Sequence, residues 1–147
     1  GYGSAGDTHT GFAEEDQMDL KPFKAGIQNG ADTVLVAHVV IKSFDPQLPA
    51  SLSPKIHDLL RKKLGFKGVI VTDDLAMGAI RQFAETQHVC PEVLAVKAGN
   101  DLIMSENVDA GTAAIEQAIK DKQISQKQIN QSVLRILKLK EKLGLLK

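Results

Sequence analysis

The sequence predicts an α/β fold built on a parallel sheet. Three observations predict it. Helix-like and strand-like segments alternate along the 147 residues, the strand-like ones are apolar on both faces, and carboxylate or imidazole side chains sit at or near the strand ends. Strands separated by helices pair in parallel through right-handed crossovers, and strands covered on both faces read as nearly continuous apolar runs.

The first helix begins at Asp19-Leu20-Lys21-Pro22-Phe23, where Asp19 can cap and Pro22 is tolerated in the first turn. Leu20, Phe23 and Ile27 have helical spacing, and Gly30 is a left-handed stop. Thr33 to Ile41 then reads as one strand. A loop with Pro46 and Pro49 leads to the second unit. Ser53-Pro54 starts its helix, Ile56, Leu59, Leu60 and Leu64 form its apolar stripe, and Gly65 ends it. Lys67 to Thr72 is the second strand and runs into Asp73-Asp74. The third helix starts at Pro91, points Val93, Leu94 and Val96 inward and stops at Gly99; Asp101 to Ser105 is its strand. Two helical regions close the chain, about 109–121 and one capped by Ser125. The latter carries Ile129, Val133, Ile136, Leu137 and Leu143 on one face and most of its charges on the other.

Composition narrows the function. Lys+Arg and Asp+Glu both number 18, so the net charge of zero supplies no field to draw nucleic acid or a membrane surface. No apolar run reaches the roughly 18 residues a membrane span needs. One cysteine, Cys90, excludes an intrachain disulfide and argues against a zinc cluster; it reads as a small apolar residue. No cofactor and no metal ion are called for.

Chemistry in parallel sheets gathers at the carboxyl ends of the strands. Those ends hold His38, Asp73-Asp74 and Ser105-Glu106. A carboxylate at Asp73 or Asp74 suits a nucleophile, a base or a metal ligand, and either could instead cap the turn that follows; both roles can hold, one for each residue. Near the start, Gly6-Asp7-Thr8-His9 puts a carboxylate two residues from an imidazole, which can fix its tautomer and raise its basicity, although Asp, Thr and Gly are also ordinary turn residues. His38 reads as a hydrogen-bonded histidine of the core or rim. His57 and His88 receive no role. Gly1-x-Gly3-x-x-Gly6 matches a dinucleotide fingerprint only superficially, since no strand precedes it and no helix follows directly.

In order, Gly1-Tyr2-Gly3 with Asp7-Thr8-His9, Leu20-x-Pro22-Phe23, Gly30-Ala31-Asp32, Ala37-His38-Val39, Pro49-Ala50-Ser51-Leu52-Ser53, Leu64-Gly65-Phe66-x-Gly68-Val69 and Thr72-Asp73-Asp74-Leu75-x-Met77 resemble glycoside hydrolase family 3, in its NagZ-type β-N-acetylglucosaminidase branch. The resemblance runs from Gly1 to about residue 143. It implies a TIM-like (β/α)8 barrel and a retaining exo-hydrolase that removes terminal β-linked N-acetylglucosamine, from muropeptides in cell-wall recycling, with a cytoplasmic location. By motif position it implies Asp73 as nucleophile, Asp74 as structural, and His9 as general acid/base tuned by Asp7. It leaves His38 as a weaker candidate for substrate contact. Other family 3 specificities, β-glucosidase or a phosphorylase using His9, remain alternatives. Tyr2 stands where the family usually has His, and the family's Lys-His-Phe/Ile-Pro motif before the first glycine is not in this sequence.

A whole barrel takes about 250 residues. The resemblance therefore implies that residues 1–147 are the C-terminal part of the catalytic barrel, about strands six to eight with their helices. About five of eight βα units would lie upstream. Residues 1–18 would form the catalytic loop. Such a chain should be inactive alone, with the N-terminal barrel half as its partner. The other reading is a noncatalytic partial barrel that self-associates through open sheet edges.

Overall fold

The computed structural model describes residues 13–15 and 18–146. Strand β1 (Ala13–Glu15) is followed by α1 (Lys21–Gln28), β2 (Thr33–Val36) and β3 (Val39–Ile41). A 3-10 turn (Ala50–Leu52) leads into α2 (Pro54–Asp58), whose last turn widens to a π-type turn at Leu59–Lys63. Then come β4 (Val69–Asp74), α3 (Gly78–Gln87), α4 (Pro91–Ala98), β5 (Leu102–Met104), α5 (Val108–Lys120) and α6 (Gln126–Lys142).

All described strand pairings are parallel, as the alternation of helices and strands requires. The main sheet has the order β2-β4-β5, so β4 is central, and Val36 pairs with Thr72 at its carboxyl end. The segment 33–41, expected as one strand, is two. β2 pairs with β4, then Ala37 and His38 interrupt, and β3 pairs with β1 through Ala13 opposite Val39. The cause is tertiary: the Ala37 carbonyl accepts from the Ser51 amide at 3.2 Å, and the His38 ring is held by the Ser51 hydroxyl and the Asp74 carbonyl. β1 itself lies within residues read as loop; its three residues, Ala-Glu-Glu, carry no strand signal.

The elements start and stop where local chemistry says they should. The Ser53 hydroxyl accepts from the Ile56 amide at 3.4 Å and the Ser125 hydroxyl from the Gln128 amide at 3.1 Å, both at N-cap positions, whereas the expected Asp19 cap is displaced: α1 is capped at Leu20 with no side-chain bond, and the Asp19 carboxylate accepts from the Lys21 amide at 2.9 Å one residue ahead of it. Gly30 ends α1 at φ +86°. At Gly68 a side chain is excluded, because a Cβ there would lie 2.2 Å from the Asp32 carbonyl oxygen. That closeness lets the Val69 amide reach the same oxygen at 2.9 Å and starts β4 in register beside β2.

One core lies between β2, β3 and the α2 helix, around Ile56, Leu60, Phe66 and Ile70. A second joins Leu52, Leu75, Ile80 and Ala95, and a third joins Val96, Ala118 and Ile124. Two expected faces are covered less than the pattern suggests. α1 buries no residue fully and leaves Phe23 exposed, beside an apolar cavity of about 570 Å³ lined by Met18, Leu20, Leu35, Ile41 and Leu64. α6 half-buries Ile129 and Ile136 but leaves Val133, Leu137 and Leu143 exposed. It docks through polar contacts instead: Gln128 Nε2 donates to the Val96 carbonyl, and Ser132 and Arg135 reach Asp101. No helix is long and apolar enough to cross a membrane, among the described residues.

Candidate active site

The central strand delivers its last residues to the carboxyl end of the sheet. Thr72 is buried, and its hydroxyl accepts from the Met104 amide at 3.0 Å. Asp73 follows, half-buried, and Asp74 is exposed. The two carboxylates do different work. Asp73 Oδ1 accepts from the Asp74 amide at 2.9 Å. Asp74 Oδ1 accepts from the Ala76 amide at 2.9 Å, while its backbone carbonyl accepts from the Met77 amide at 3.1 Å. Asp74 thus closes a side-chain turn of the kind aspartate favours, and α3 begins only at Gly78 without a side-chain cap. On the β5 side the Leu75 amide donates to the Met104 carbonyl at 2.9 Å.

His38 meets this turn from the other side. Its ring is buried, with Nδ1 2.7 Å from Ser51 Oγ and Nε2 2.9 Å from the Asp74 carbonyl oxygen. Burial lowers the His38 pKa, and the Asp74 carbonyl and the Asp73 and Asp74 carboxylates only partly oppose that. As arranged, both ring nitrogens are engaged within the protein, so neither is presented to a sugar. Ser51 is fully buried, and its own carbonyl accepts from Asn100 Nδ2 at 2.8 Å. Sequence reading gave Ser51 and Asn100 no role. The usable signal was the pair of serines in Pro49-Ala50-Ser51-Leu52-Ser53, of which only Ser53 is needed as the α2 cap.

Asp7 and His9 lie outside the described residues. The strand that follows them is described: Ala13 lies opposite Val39, one residue past His38, and so at the same sheet end as Asp73. Ser105 and Glu106, also at a strand end, are engaged elsewhere: Ser105 Oγ donates to Glu92 at 2.8 Å and Glu106 pairs with Arg81 at 2.8 Å. Among the described residues no group of His, Cys, Asp and Glu could hold a metal ion. Burial raises the Cys90 thiol pKa, which disfavours a reactive thiolate.

The family model described as the glycosyl hydrolase family 3 N-terminal domain matches residues 1–139. The chain belongs to that family. It is 36% identical over 135 residues to a β-hexosaminidase of Psychromonas ingrahamii, covering 86% of this chain and 40% of that protein. It is 34% identical over 133 residues to an uncharacterized secreted glycosyl hydrolase of Arthroderma benhamiae, covering 86% of this chain and 37% of that protein. Among solved structures, a family 3 β-N-acetylglucosaminidase from Paenibacillus sp. FPU-7 superimposes with a TM-score of 0.85 at 35% identity, over 95% of this chain and 29% of that one. The chain therefore spans about two-fifths of the length of the curated relatives it matches along most of its own length. Its parallel α/β arc is a part of the family 3 barrel.

Proposed function

We propose that this family 3 chain supplies the nucleophile and the acid/base of a retaining β-N-acetylhexosaminidase. Asp73 attacks the anomeric carbon, and His9, partnered by Asp7, protonates the leaving oxygen and then activates water. The observation that carries the reading is the place of Asp73: half-buried, at the carboxyl end of the central strand, on a turn pinned from both sides. The family resemblance and the names of the relatives support the substrate class.

The chemistry needs two groups. A retaining hydrolase forms a covalent glycosyl–enzyme bond with one group and moves a proton with the other. A carboxylate at Asp73 serves the first step. The second usually falls to a carboxylic acid, but an imidazole can give and take a proton because its pKa lies near neutrality. A carboxylate two residues away favours the protonated form that must donate. In this reading the substrates are N-acetylglucosaminides released from cell walls, and the remaining sugar contacts come from βα units outside residues 1–147.

The test is hydrolysis of an aryl N-acetyl-β-glucosaminide by the full-length gene product. His9→Ala should lower kcat by about 10²–10⁴-fold, the usual weight of acid–base help, and Asp73→Ala should lower it further. Wild-type rates in both variants would refute the assignment. Faster turnover of the matching β-glucoside would move the specificity to another branch. The 147-residue chain alone should leave the substrate intact.

A further inference from the structure

We propose that His38 is a positioning residue for the Asp73 carboxylate, acting through the backbone of Asp74, whose carbonyl fixes its tautomer, with the ring held in place by Ser51. The proposal rests on Asp73 being the nucleophile.

The tautomer follows from the partners. A backbone carbonyl only accepts, so Nε2 carries the hydrogen that bonds the Asp74 oxygen at 2.9 Å. Nδ1 is then an acceptor, and the Ser51 hydroxyl 2.7 Å away donates to it. Ser51 cannot drift, because its amide donates to the Ala37 carbonyl at 3.2 Å and its carbonyl is held by buried Asn100, which also donates to the Ala95 carbonyl at 2.8 Å.

The need for such a hold follows from the ladder. Pairing of β4 with β2 ends at Thr72, opposite Val36. Past that point the β5 side keeps its bond between the Leu75 amide and the Met104 carbonyl, whereas on the β2 side the His38 contact takes over. The held group is coupled to the nucleophile. The Asp74 amide donates to Asp73 Oδ1, and its peptide plane shares the Asp74 Cα with the plane whose carbonyl His38 holds, so fixing that carbonyl restrains the hinge from which the amide beside the carboxylate hangs.

The experiment compares kcat and KM of the full-length gene product with those of His38→Ala, His38→Gln, Ser51→Ala and Asp73→Asn. A small misplacement of a reacting group costs up to about 10²-fold. His38→Ala should therefore lose about 30–100-fold in kcat with KM nearly unchanged. Glutamine, which can place an N–H where Nε2 stood, should recover most of that loss, and Ser51→Ala should fall between. Nitrogen NMR should show His38 protonated at Nε2 alone. Exchange of the Leu75 and Met77 amides should quicken in His38→Ala and return toward wild type in His38→Gln. Wild-type kcat in His38→Ala, glutamine no better than alanine, or an Nδ1-protonated ring would each overturn the proposal. If His38→Ala does not fold, glutamine and Ser51→Ala decide by the same kcat criterion. If Asp73→Asn keeps full activity, it is the nucleophile assignment that fails, and the tautomer and exchange data still decide whether His38 holds Asp74.

Discussion

His38 and His57 are two imidazoles that folding takes out of water. His57 is 2% exposed and donates Nδ1–H to the Ser53 carbonyl at 2.8 Å. Burial pulls both pKa values below the ordinary one. The sign of the effect on stability follows. Between the lowered folded pKa values and an unfolded value near 6.5, the unfolded chain binds more protons, so stability falls as the pH drops through that window. We predict a lower urea midpoint at pH 5.5 than at pH 7.5, with the difference reduced in His38→Gln. A midpoint that is flat or rises toward acid would contradict it. Asp73 and Asp74 show how far residue type alone can be read. Two adjacent carboxylates at a strand end allowed one reactive and one structural group, and the side-chain turn closed by Asp74 assigns the structural part to it.

Among elements, the heaviest single joint lies at the opposite end of the sheet. Asp101 opens β5 with its carboxylate fully buried. Oδ2 meets Arg61 at 2.5 Å and the Ile70 amide at 2.9 Å, and Oδ1 meets Arg135 at 2.9 Å and Ser132 at 2.7 Å. One side chain thus ties the wide turn after α2, strand β4 and helix α6. Removing one partner of a buried pair costs about 3–5 kcal/mol, so Asp101→Ala should lower the unfolding free energy by about 3 kcal/mol in urea titration. Lys142 and Asp32, at 2.6 Å but both well exposed, should contribute at most about 1 kcal/mol. A smaller loss in Asp101→Ala than in Asp32→Ala would reverse that ranking. Helix starts and stops were legible because caps, prolines and glycines act over three or four residues. The break at Ala37–His38 was not, because it depends on Ser51, far along the chain. Helix α3 escaped notice because few of its residues meet the core, chiefly Ala79 and Ile80 with Phe83 packed against it, too few to print a stripe. The apolar face of α6 is legible as apolar, but Val133, Leu137 and Leu143 on it are exposed. Periodicity marks which residues share a side, not what lies against them.

At the scale of the whole molecule, Leu35, Val71 and Leu102 form one row across β2, β4 and β5, and Leu35 and Leu102 are 52% and 41% exposed. Val133, Leu134 and Leu137 add apolar surface on α6. An exposed apolar row across a sheet is usually covered. The 147-residue chain alone should therefore sediment as a self-associating species at micromolar concentration, and Leu35→Lys should shift it toward monomer. A compact wild-type monomer would contradict this. At this scale the sequence speaks to only part of the site. Its ordered motifs named Asp73 and the sheet end at which chemistry gathers. The hold on Asp73 from Ser51 through His38 and Asp74 became visible only when three segments met in space. The division of residues 33–41 between two ladders has one more consequence. The ladder that Ala13–Glu15 make with Val39–Ile41 is separate from the one that holds Thr33–Val36 against Val69–Thr72, so a change in the first need not move the second. The approach to the pocket is thereby free to diversify without disturbing the wall behind it.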